Sequence, residues 1–523
     1  MTLYNNLKTL YPELQDHKYI GGWHDKNTVH LWYREDGQRK WMTVKNVPHY
    51  FCVSKNDYKK LPKSQWTKYK DSGIITRGKI TGDYLYIEIG EDVYKTTLDG
   101  FFTELDDLGV KPLEGDVNRT TRLMIDLNLR VAGLDDENPP RIVFYDIETD
   151  DRNSKIRIGV DRILSVAWKD GQTGEEFFEY ASADTDEAEK EFLENVYEQL
   201  TEYDILIGSN NYAFDNEYLL GRFEYYGFDT YKYRRCEQLD IYNLFERLGV
   251  FSNYKSKNKR LDTIAKAILG KGKLDHSEKI YDLWRFEINL LREYNLEDVR
   301  LIFEMEKKVK SAALVIGMCA YSGLLHSSNY SPAKVVDMFI LRKSQARRES
   351  GIADFRFPTQ YFRPEHKING KTSPFSRNAL SGDKRKGRAE YLKDEFDIDF
   401  EPVIGAYVKE AVPGLYSNVA AFDFNSLYPN TIIAFNIGHD TLITNSFGIP
   451  FNTAPNGLMY RTDYISSMSE AVEFLINERK KIRAQMKNEN DPVFLEGLDV
   501  RQRSTKELTN SFYGVTAQWG GRY

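Results

Sequence analysis

The sequence lacks the residue patterns that build disulfide frameworks and zinc sites. Three cysteines lie far apart among 523 residues, and the eight histidines form no paired ligand motif, so neither kind of site is expected. The longest apolar run, Ala312 to Leu325, has about 14 residues, short of the roughly 20 that span a bilayer. No signal peptide precedes Leu3. We therefore expect a soluble, cytoplasmic protein without a membrane partner.

The composition instead provides for several packed domains. Hydrophobic residues make up 41% of the chain and aromatic residues 14%, and at roughly 150 residues per domain this length predicts three or four domains. Lys+Arg 72 against Asp+Glu 79 gives 72 − 79 = −7. This mild acidity does not exclude nucleic acid, because binding depends on local basic patches.

The pattern along the chain changes after Pro139-Pro140. Before it, two β-type runs flank Asp36-Gly37 and predict a hairpin. After it, strands alternate with helices, as in a layered α/β domain. The predicted strands lie at 141–147, 162–169 and 205–208, and the predicted helices at 187–200, 216–226 and 286–310.

The last third of the chain opens with a polar segment, residues 366–395. It is either a solvated loop or, through its basic run at 384–388, a contact to a phosphate backbone. An apolar strand is predicted at 420–424, followed by helices at 470–487 and 498–514.

Several acidic residues stand where they could hold a metal. Asp146 and Glu148 are two residues apart on a predicted strand and so point to one face. Asp215 follows a strand and opens a helix, where it could also be an N-cap. Tyr294 and Asp298 share a helical face at i and i+4. Each signal alone also fits an ordinary surface residue.

Together these residues occur in the order Asp-x-Glu, Asn-x-x-x-Phe-Asp and Tyr-x-x-x-Asp. The set resembles the 3′→5′ proofreading exonuclease domain of family B DNA polymerases. The resemblance implies phosphodiester hydrolysis with two Mg²⁺ ions, or Mn²⁺. Asp146 would bridge the ions, Glu148 and Asp298 would complete one site, and Asp215 would serve the other. Tyr294 would position the attacking water.

A second set, in Ala421-Phe422-Asp423-Phe424-Asn425-Ser426-Leu427-Tyr428-Pro429, resembles motif A of the same family. The resemblance implies that Asp423 binds both catalytic Mg²⁺ ions of the polymerase site, helped by the carbonyl of Phe424. The backbone N–H groups of Ser426 and Leu427 would meet the nucleotide phosphates. Tyr428 would be the steric gate that excludes a 2′-hydroxyl, although it could also be a plain core aromatic.

Downstream, Lys506 to Gly514 resembles motif B, with Lys506, Asn510 and Tyr513 on one helix face. The preceding helix carries Arg479 and Arg483 at i and i+4. By the resemblance, these basic residues and Asn510 would bind the triphosphate. A basic helix alone would more often be a solvated face. The segment at 405–408 resembles the family's linker before the palm.

The family's motif C, an Asp-Thr-Asp hairpin after motif B, and its thumb are not found before Tyr523. Asp184-Thr185-Asp186 is out of order and is predicted to cap a helix. We expect a fragment, a split gene or an element that follows Tyr523, and the sequence leaves these three open.

The expected fold is a multidomain α/β and α+β protein with a β-rich N-terminal domain, a ribonuclease-H-like exonuclease domain and an incomplete palm with helical fingers. The expected regions are 1–135 (N-terminal domain), 136–325 (exonuclease), 326–400 (return to the N-terminal domain, with the basic loop), 401–465 (palm), 466–514 (fingers) and 515–523 (start of the second palm segment).

The resemblance implies a replicative DNA-directed DNA polymerase of archaeal or tailed-phage type, which would act in the host cytoplasm if viral. Implied partners are primer–template DNA, deoxynucleoside triphosphates, a C-terminal polymerase portion and a sliding clamp. Two alternatives stay open: a 3′→5′ exonuclease without polymerase activity, and a DNA-binding subunit of a split polymerase.

Overall fold

The computed structural model describes residues 5–152, 157–274, 278–326, 330–352, 355–359, 367–368, 371–372, 409–410, 412–445 and 448–516. The basic run at 384–388, the linker at 405–408 and residues 517–523 lie outside these ranges. Within them, no helix is both long enough and apolar enough to cross a membrane.

The N-terminal region holds two three-stranded antiparallel sheets, in the orders β2-β3-β4 and β5-β7-β6, and a parallel pair of β1 and β8. The predicted hairpin is confirmed, because Asp36 and Gly37 both have positive φ and join β3 to β4. The helices are α1 (Asn5–Leu10), α2 (Lys55–Tyr58), α3 (Lys63–Asp71), α4 (Lys95–Asp107) and α5 (Arg119–Asp126). The strands are β1 (Lys18–Tyr19), β2 (Gly21–Asp25), β3 (Thr28–Glu35), β4 (Gln38–Val44), β5 (Tyr50–Ser54), β6 (Ile75–Thr81), β7 (Tyr84–Ile89) and β8 (Arg130–Val131).

A five-stranded mixed sheet follows, in the order β11-β10-β9-β12-β13. Strand β9 pairs antiparallel with β10 and parallel with β12, and β12 pairs parallel with β13. The predicted strands and helices of this region are confirmed to within two residues, apart from a break at Glu287. The strands are β9 (Ile142–Thr149), β10 (Ile163–Asp170), β11 (Glu176–Tyr180), β12 (Ile205–Gly208) and β13 (Glu237–Asp240).

Ten helices are described from Asp186 to Glu349, and the 22-residue α13 packs on β9 and β10. They are α6 (Asp186–Leu200), α7 (Asp215–Tyr225), α8 (Thr230–Arg234), α9 (Ile241–Arg247), α10 (Val250–Asn253), α11 (Leu261–Leu269), α12 (Ile280–Phe286), α13 (Ile288–Val309), α14 (Ser311–Ser322) and α15 (Pro332–Glu349). As predicted, Thr185 caps α6 by accepting from the backbone N–H of Ala188.

After the mixed sheet the chain makes contacts with the N-terminal region again. The backbone N–H of His326 donates to the carbonyl of Ile20 at 2.9 Å. Further on, Leu113 forms bridges to both Cys52 and Pro358. Residues from distant parts of the sequence therefore share one core.

The C-terminal region is built on three helices, α16 (Leu427–Phe435), α17 (Ser467–Met486) and α18 (Pro492–Thr516). Helices α17 and α18 confirm the two predicted there, although α18 begins at Pro492 and not at 498. Proline is accepted in the first turn of a helix because its missing N–H has no partner there. The short strands are β14 (Lys367–Ile368), β15 (Lys371–Thr372), β16 (Leu442–Ile443), β17 (Phe451–Thr453) and β18 (Met459–Arg461).

The strand predicted at 420–424 is wrong for this structure. None of the described strands pairs with this segment, and Phe422 and Phe424 are 95% and 77% exposed. A strand is stable only when its backbone groups are hydrogen-bonded to a neighbouring strand. Asp423, expected to lie in a buried strand, is consequently exposed.

Candidate functional site

The mixed sheet and α13 bring three carboxylates together. Asp146 and Glu148 lie on one face of β9, as the two-residue spacing predicted, and Asp298 reaches them from α13. One ligand oxygen of each lies within 4.8 Å of the others. Asp146 and Glu148 are half-buried, whereas Asp298 is buried. Three hard oxygen ligands at this spacing fit a divalent cation such as Mg²⁺ or Mn²⁺.

Asp215 approaches the same strand from α7. It is the first residue of that helix and not its N-cap, which is Phe214. Its Oδ1 accepts a hydrogen bond from the backbone N–H of Ile147 at 3.2 Å. Because Ile147 lies between Asp146 and Glu148, this bond holds the fourth carboxylate beside the other three.

Lys273 is a member of this site that the sequence analysis missed. Its Nζ lies 2.5 Å from Oδ2 of Asp298 and 5.5 Å from the ring centre of Tyr294. The backbone N–H of Lys273 donates to Asp262 at 3.0 Å, which fixes the loop. At Gly272, a Cβ would lie 2.1 Å from Oδ1 of Asp262, so a larger residue there would force that side chain to move. No local pattern places this lysine near Asp298.

Asn295 was also missed, although it stands inside the Tyr-x-x-x-Asp motif. Its Nδ2 donates to Oδ2 of Asp146 at 2.8 Å. Its Oδ1 accepts from the hydroxyl of Ser165, on β10, at 3.1 Å. The signal that could have identified it is its position: it precedes Asp298 by three residues, which puts both on one side of α13.

The electrostatics of the site show a deficit of positive charge. Burial, followed by the charge of Asp298, raises the pKa of Asp146 well above its ordinary value and that of Glu148 to about 8. Burial likewise raises the pKa of Asp215 to about 7. Lys273 opposes these shifts but does not cancel them. The cluster is therefore one that a bound cation would stabilise.

Tyr294 stays protonated at neutral pH. Burial raises the pKa of its phenol to about 12, with Lys273 acting in the opposite direction. A protonated phenol is a hydrogen-bond donor, which is the state needed to orient a water or a substrate oxygen.

The residues of motifs A and B approach each other through two tyrosines. The rings of Tyr428, on α16, and Tyr513, on α18, stack with centres 4.2 Å apart and an angle of 14°. Ser426 precedes α16 in the left-handed conformation, with φ 52°. Asp423 is not part of a group of three side chains with metal-ligand spacing: among the described residues, the one such group is Asp146, Glu148 and Asp298.

The basic residues expected on the fingers lie on two helices that pack along each other, α17 and α18. Arg479 is half-buried and donates from Nε to Gln502 Oε1 at 3.2 Å. Burial, then the charge of Arg483, lowers the pKa of Arg479. Arg483, Lys506 and Asn510 are exposed, so their side chains are accessible to a ligand.

Comparison with known proteins finds two family matches in this chain. Residues 143–310 match the RNase H superfamily, and residues 384–522 match DNA polymerase family B. The DNA polymerase of Thermococcus gorgonarius is 28% identical over 353 residues, which are 63% of this chain and 40% of that protein. The DNA polymerase of Thermococcus sp. (strain 9oN-7) is 27% identical over 435 residues, 78% of this chain and 51% of the relative.

The fold also has a solved counterpart. The family B DNA polymerase of the hyperthermophilic archaeon Pyrobaculum calidifontis superposes with a TM-score of 0.70 at 19% identity, over 97% of this chain and 69% of that one. The chain thus spans about half, or less, of the length of the two Thermococcus relatives. The two family matches occur in the same order as the two sets of motifs. Sequence relatives cover most of the chain, and the solved structure shares its fold. Residues 384–522 belong to DNA polymerase family B, and most of the chain is similar in sequence to DNA polymerases of archaea.

Proposed function

We propose that the carboxylate site is a 3′→5′ exonuclease that removes nucleotides from the end of a DNA strand. The observation that carries the proposal is the convergence of Asp146, Glu148 and Asp298 within 4.8 Å. Their charge exceeds what Lys273 alone neutralises, so the residues present fit two Mg²⁺ ions, with Mn²⁺ as a substitute. When bound, Mg²⁺ supplies positive charge that stabilises the phosphoryl group during attack by water.

The chain's own residues have separate tasks in this reaction. Asp146, Glu148 and Asp298 would hold the cations. Asp215, positioned by its hydrogen bond from the Ile147 backbone, would add a further negative charge. Tyr294, protonated at neutral pH, orients the attacking water by hydrogen bonding. The water oxygen bonds to phosphorus as the bond from phosphorus to the 3′ oxygen breaks. The products are a nucleoside 5′-monophosphate and a strand that is one nucleotide shorter and ends in a 3′-hydroxyl.

We further propose that this site proofreads for a replicative, DNA-templated DNA polymerase of which the chain is one part. Motifs A and B support this, because Tyr428 and Tyr513 bring them into contact. Asp423 and the carbonyl of Phe424 would bind the second pair of Mg²⁺ ions. The nucleotide would be bound by Ser426, Leu427, Tyr428, Arg479, Arg483, Lys506 and Asn510. Primer–template DNA, deoxynucleoside triphosphates, a C-terminal polymerase portion and a sliding clamp would be the partners.

A second candidate is that this chain on its own acts only as an exonuclease. One observation favours it: Asp423 is exposed and, among the described residues, is not part of a group of three side chains with metal-ligand spacing. A polymerase site needs two carboxylates to hold its cations. The two candidates differ in whether this chain extends a primer.

The test uses a 5′-labelled single strand and Mg²⁺, with nucleoside monophosphate release as a second readout. We expect the parent protein to shorten the strand and the double variant Asp146→Ala, Glu148→Ala to leave it intact. Glu179→Gln is the matched control, because Glu179 lies on β11 and faces the opposite side of the sheet. Cleavage by the double variant at the parent rate would refute the assignment of the site.

A primer–template with deoxynucleotides separates the two candidates. Shortening without extension supports the exonuclease-only activity of this chain. Extension that is lost in Asp423→Ala supports a polymerase site that is complete in this chain, and contradicts the second candidate.

A further inference from the structure

The carboxamide of Asn295 lies between the sheet and α13 and has no contact with solvent. Asn295 and Ser165 are both 0% exposed. A buried amide is costly unless its polar atoms are hydrogen-bonded. Here one N–H of Asn295 reaches Asp146 at 2.8 Å, and its oxygen receives the Ser165 hydroxyl at 3.1 Å. The polar atoms thus form a chain from β10 through α13 to the carboxylate on β9.

The direction of this chain follows from which groups can donate. A carboxylate that holds a cation is ionised and can only accept, so in that state the atom of Asn295 that faces Asp146 must be the nitrogen. The amide oxygen then faces Ser165, whose hydroxyl can donate to it. The Ser165 hydroxyl therefore fixes the orientation of the amide, and the amide fixes one oxygen of Asp146.

The chemistry of a neutral donor differs from that of Lys273. An ammonium group neutralises a carboxylate and competes with a cation for the same charge. An amide N–H orients the carboxylate and favours its ionised form without adding positive charge. Hydrogen-bonding partners of this kind commonly set both the geometry and the affinity of metal ligands.

We propose that Asn295, held in place by Ser165, is a positioning residue that fixes the carboxylate of Asp146 for cation binding. The proposal rests on the exonuclease function proposed above and adds the residues that orient its bridging ligand. Neither residue touches substrate in this account, so both act through Asp146.

The experiment measures the dissociation constant of Mn²⁺ directly, from the electron paramagnetic resonance signal of the free ion, and separately measures strand cleavage. The variants are Asn295→Leu, which keeps the volume but loses the polar atoms, Ser165→Ala and the double variant. Ser504→Ala is the control, since it removes another buried hydroxyl, whose oxygen lies 3.2 Å from the Leu314 carbonyl between α14 and α18. Ser165→Ala carries the test if Asn295→Leu does not fold.

We expect Asn295→Leu to weaken Mn²⁺ binding by about 10- to 100-fold and Ser165→Ala to weaken it less. Because Ser165 acts through Asn295, the double variant should bind no more weakly than Asn295→Leu alone. The Ser504→Ala control should bind as the parent does. The proposal is overturned if Ser165→Ala and Asn295→Leu both bind Mn²⁺ as tightly as the parent does. It is also overturned if the losses of Mn²⁺ affinity in the two single variants add up in the double variant. A parent protein that binds no Mn²⁺ would overturn the exonuclease assignment together with it.

Discussion

Removing one charge from the carboxylate cluster should stabilise the protein when no metal is present. The substitution is Asp146→Asn, which keeps the shape of the side chain and an oxygen that can accept from Asn295. Two full charges 4.8 Å apart repel by about 3.5 kcal/mol at an effective dielectric constant of about 20. Lys273 offsets part of this repulsion, and partial protonation offsets more. We therefore expect Asp146→Asn to raise the free energy of unfolding by about 1 to 2 kcal/mol, and the melting temperature by roughly 3 to 6 °C.

The same substitution should have the opposite effect in excess metal. A ligand at 100 times its dissociation constant stabilises the native state by about 2.7 kcal/mol. We expect the parent to gain this stability on addition of Mn²⁺ and Asp146→Asn to lose most of the gain. The two melting curves should therefore exchange order between EDTA and excess Mn²⁺.

Differential scanning calorimetry at pH 8 and low ionic strength measures both effects, with Glu179→Gln as the control on the opposite sheet face. The reasoning is refuted if Asp146→Asn melts below the parent in EDTA. It is equally refuted if the variant keeps the full Mn²⁺ shift, because a cation would then not depend on Asp146.

Three further predictions concern the N-terminal region. Glu114→Gln should lower the free energy of unfolding, measured by urea denaturation, by about 3 to 5 kcal/mol. The substitution leaves buried guanidinium groups, such as that of Arg356 at 2.7 Å, without their counter-charge. A loss below 1 kcal/mol would contradict this. Gly21→Ala should lower the free energy of unfolding by about 1 to 3 kcal/mol, because a Cβ would lie 1.9 Å from the Trp32 ring. Displacement of that ring should also change the near-ultraviolet circular dichroism spectrum, and an unchanged spectrum would contradict the prediction. Burial lowers the pKa of His49 from 6.5 to about 3, so the unfolded chain binds a proton that the native chain does not. The free energy of unfolding should therefore decrease as the pH drops from 6.5 towards 3, and this decrease should be smaller in His49→Gln. Chemical denaturation at a series of pH values measures it.

The sequence predicted those parts of the fold that depend on local periodicity. The strand predicted at 141–147 located β9, and the two-residue spacing of Asp146 and Glu148 identified the face that they share. The helix predicted at 286–310 located α13, which carries Tyr294 and Asp298 four residues apart, and Asp36-Gly37 identified the first hairpin. The helix and the hairpin are held by hydrogen bonds between residues that are near in sequence. Strand β9 was predicted correctly although its partners, β10 and β12, lie further along the chain.

Contacts between distant residues could not be predicted in this way. Lys273 pairs with Asp298 across 25 positions, and Ser165 bonds to Asn295 across 130. The strand predicted around Asp423 was wrong for a related reason: its apolar composition favours a strand, but strand formation depends on a neighbour that no local pattern specifies. Sequence periodicity therefore located the carboxylates, whereas the groups that neutralise and orient them depend on the tertiary fold.

The most direct test of the central claim is to locate Mn²⁺ in crystals of the protein by its anomalous scattering. The account predicts a peak bound by oxygens of Asp146, Glu148 and Asp298, with Lys273 displaced from Asp298 or sharing it. No peak at this site, with the Lys273 to Asp298 pair intact at saturating Mn²⁺, would contradict the account.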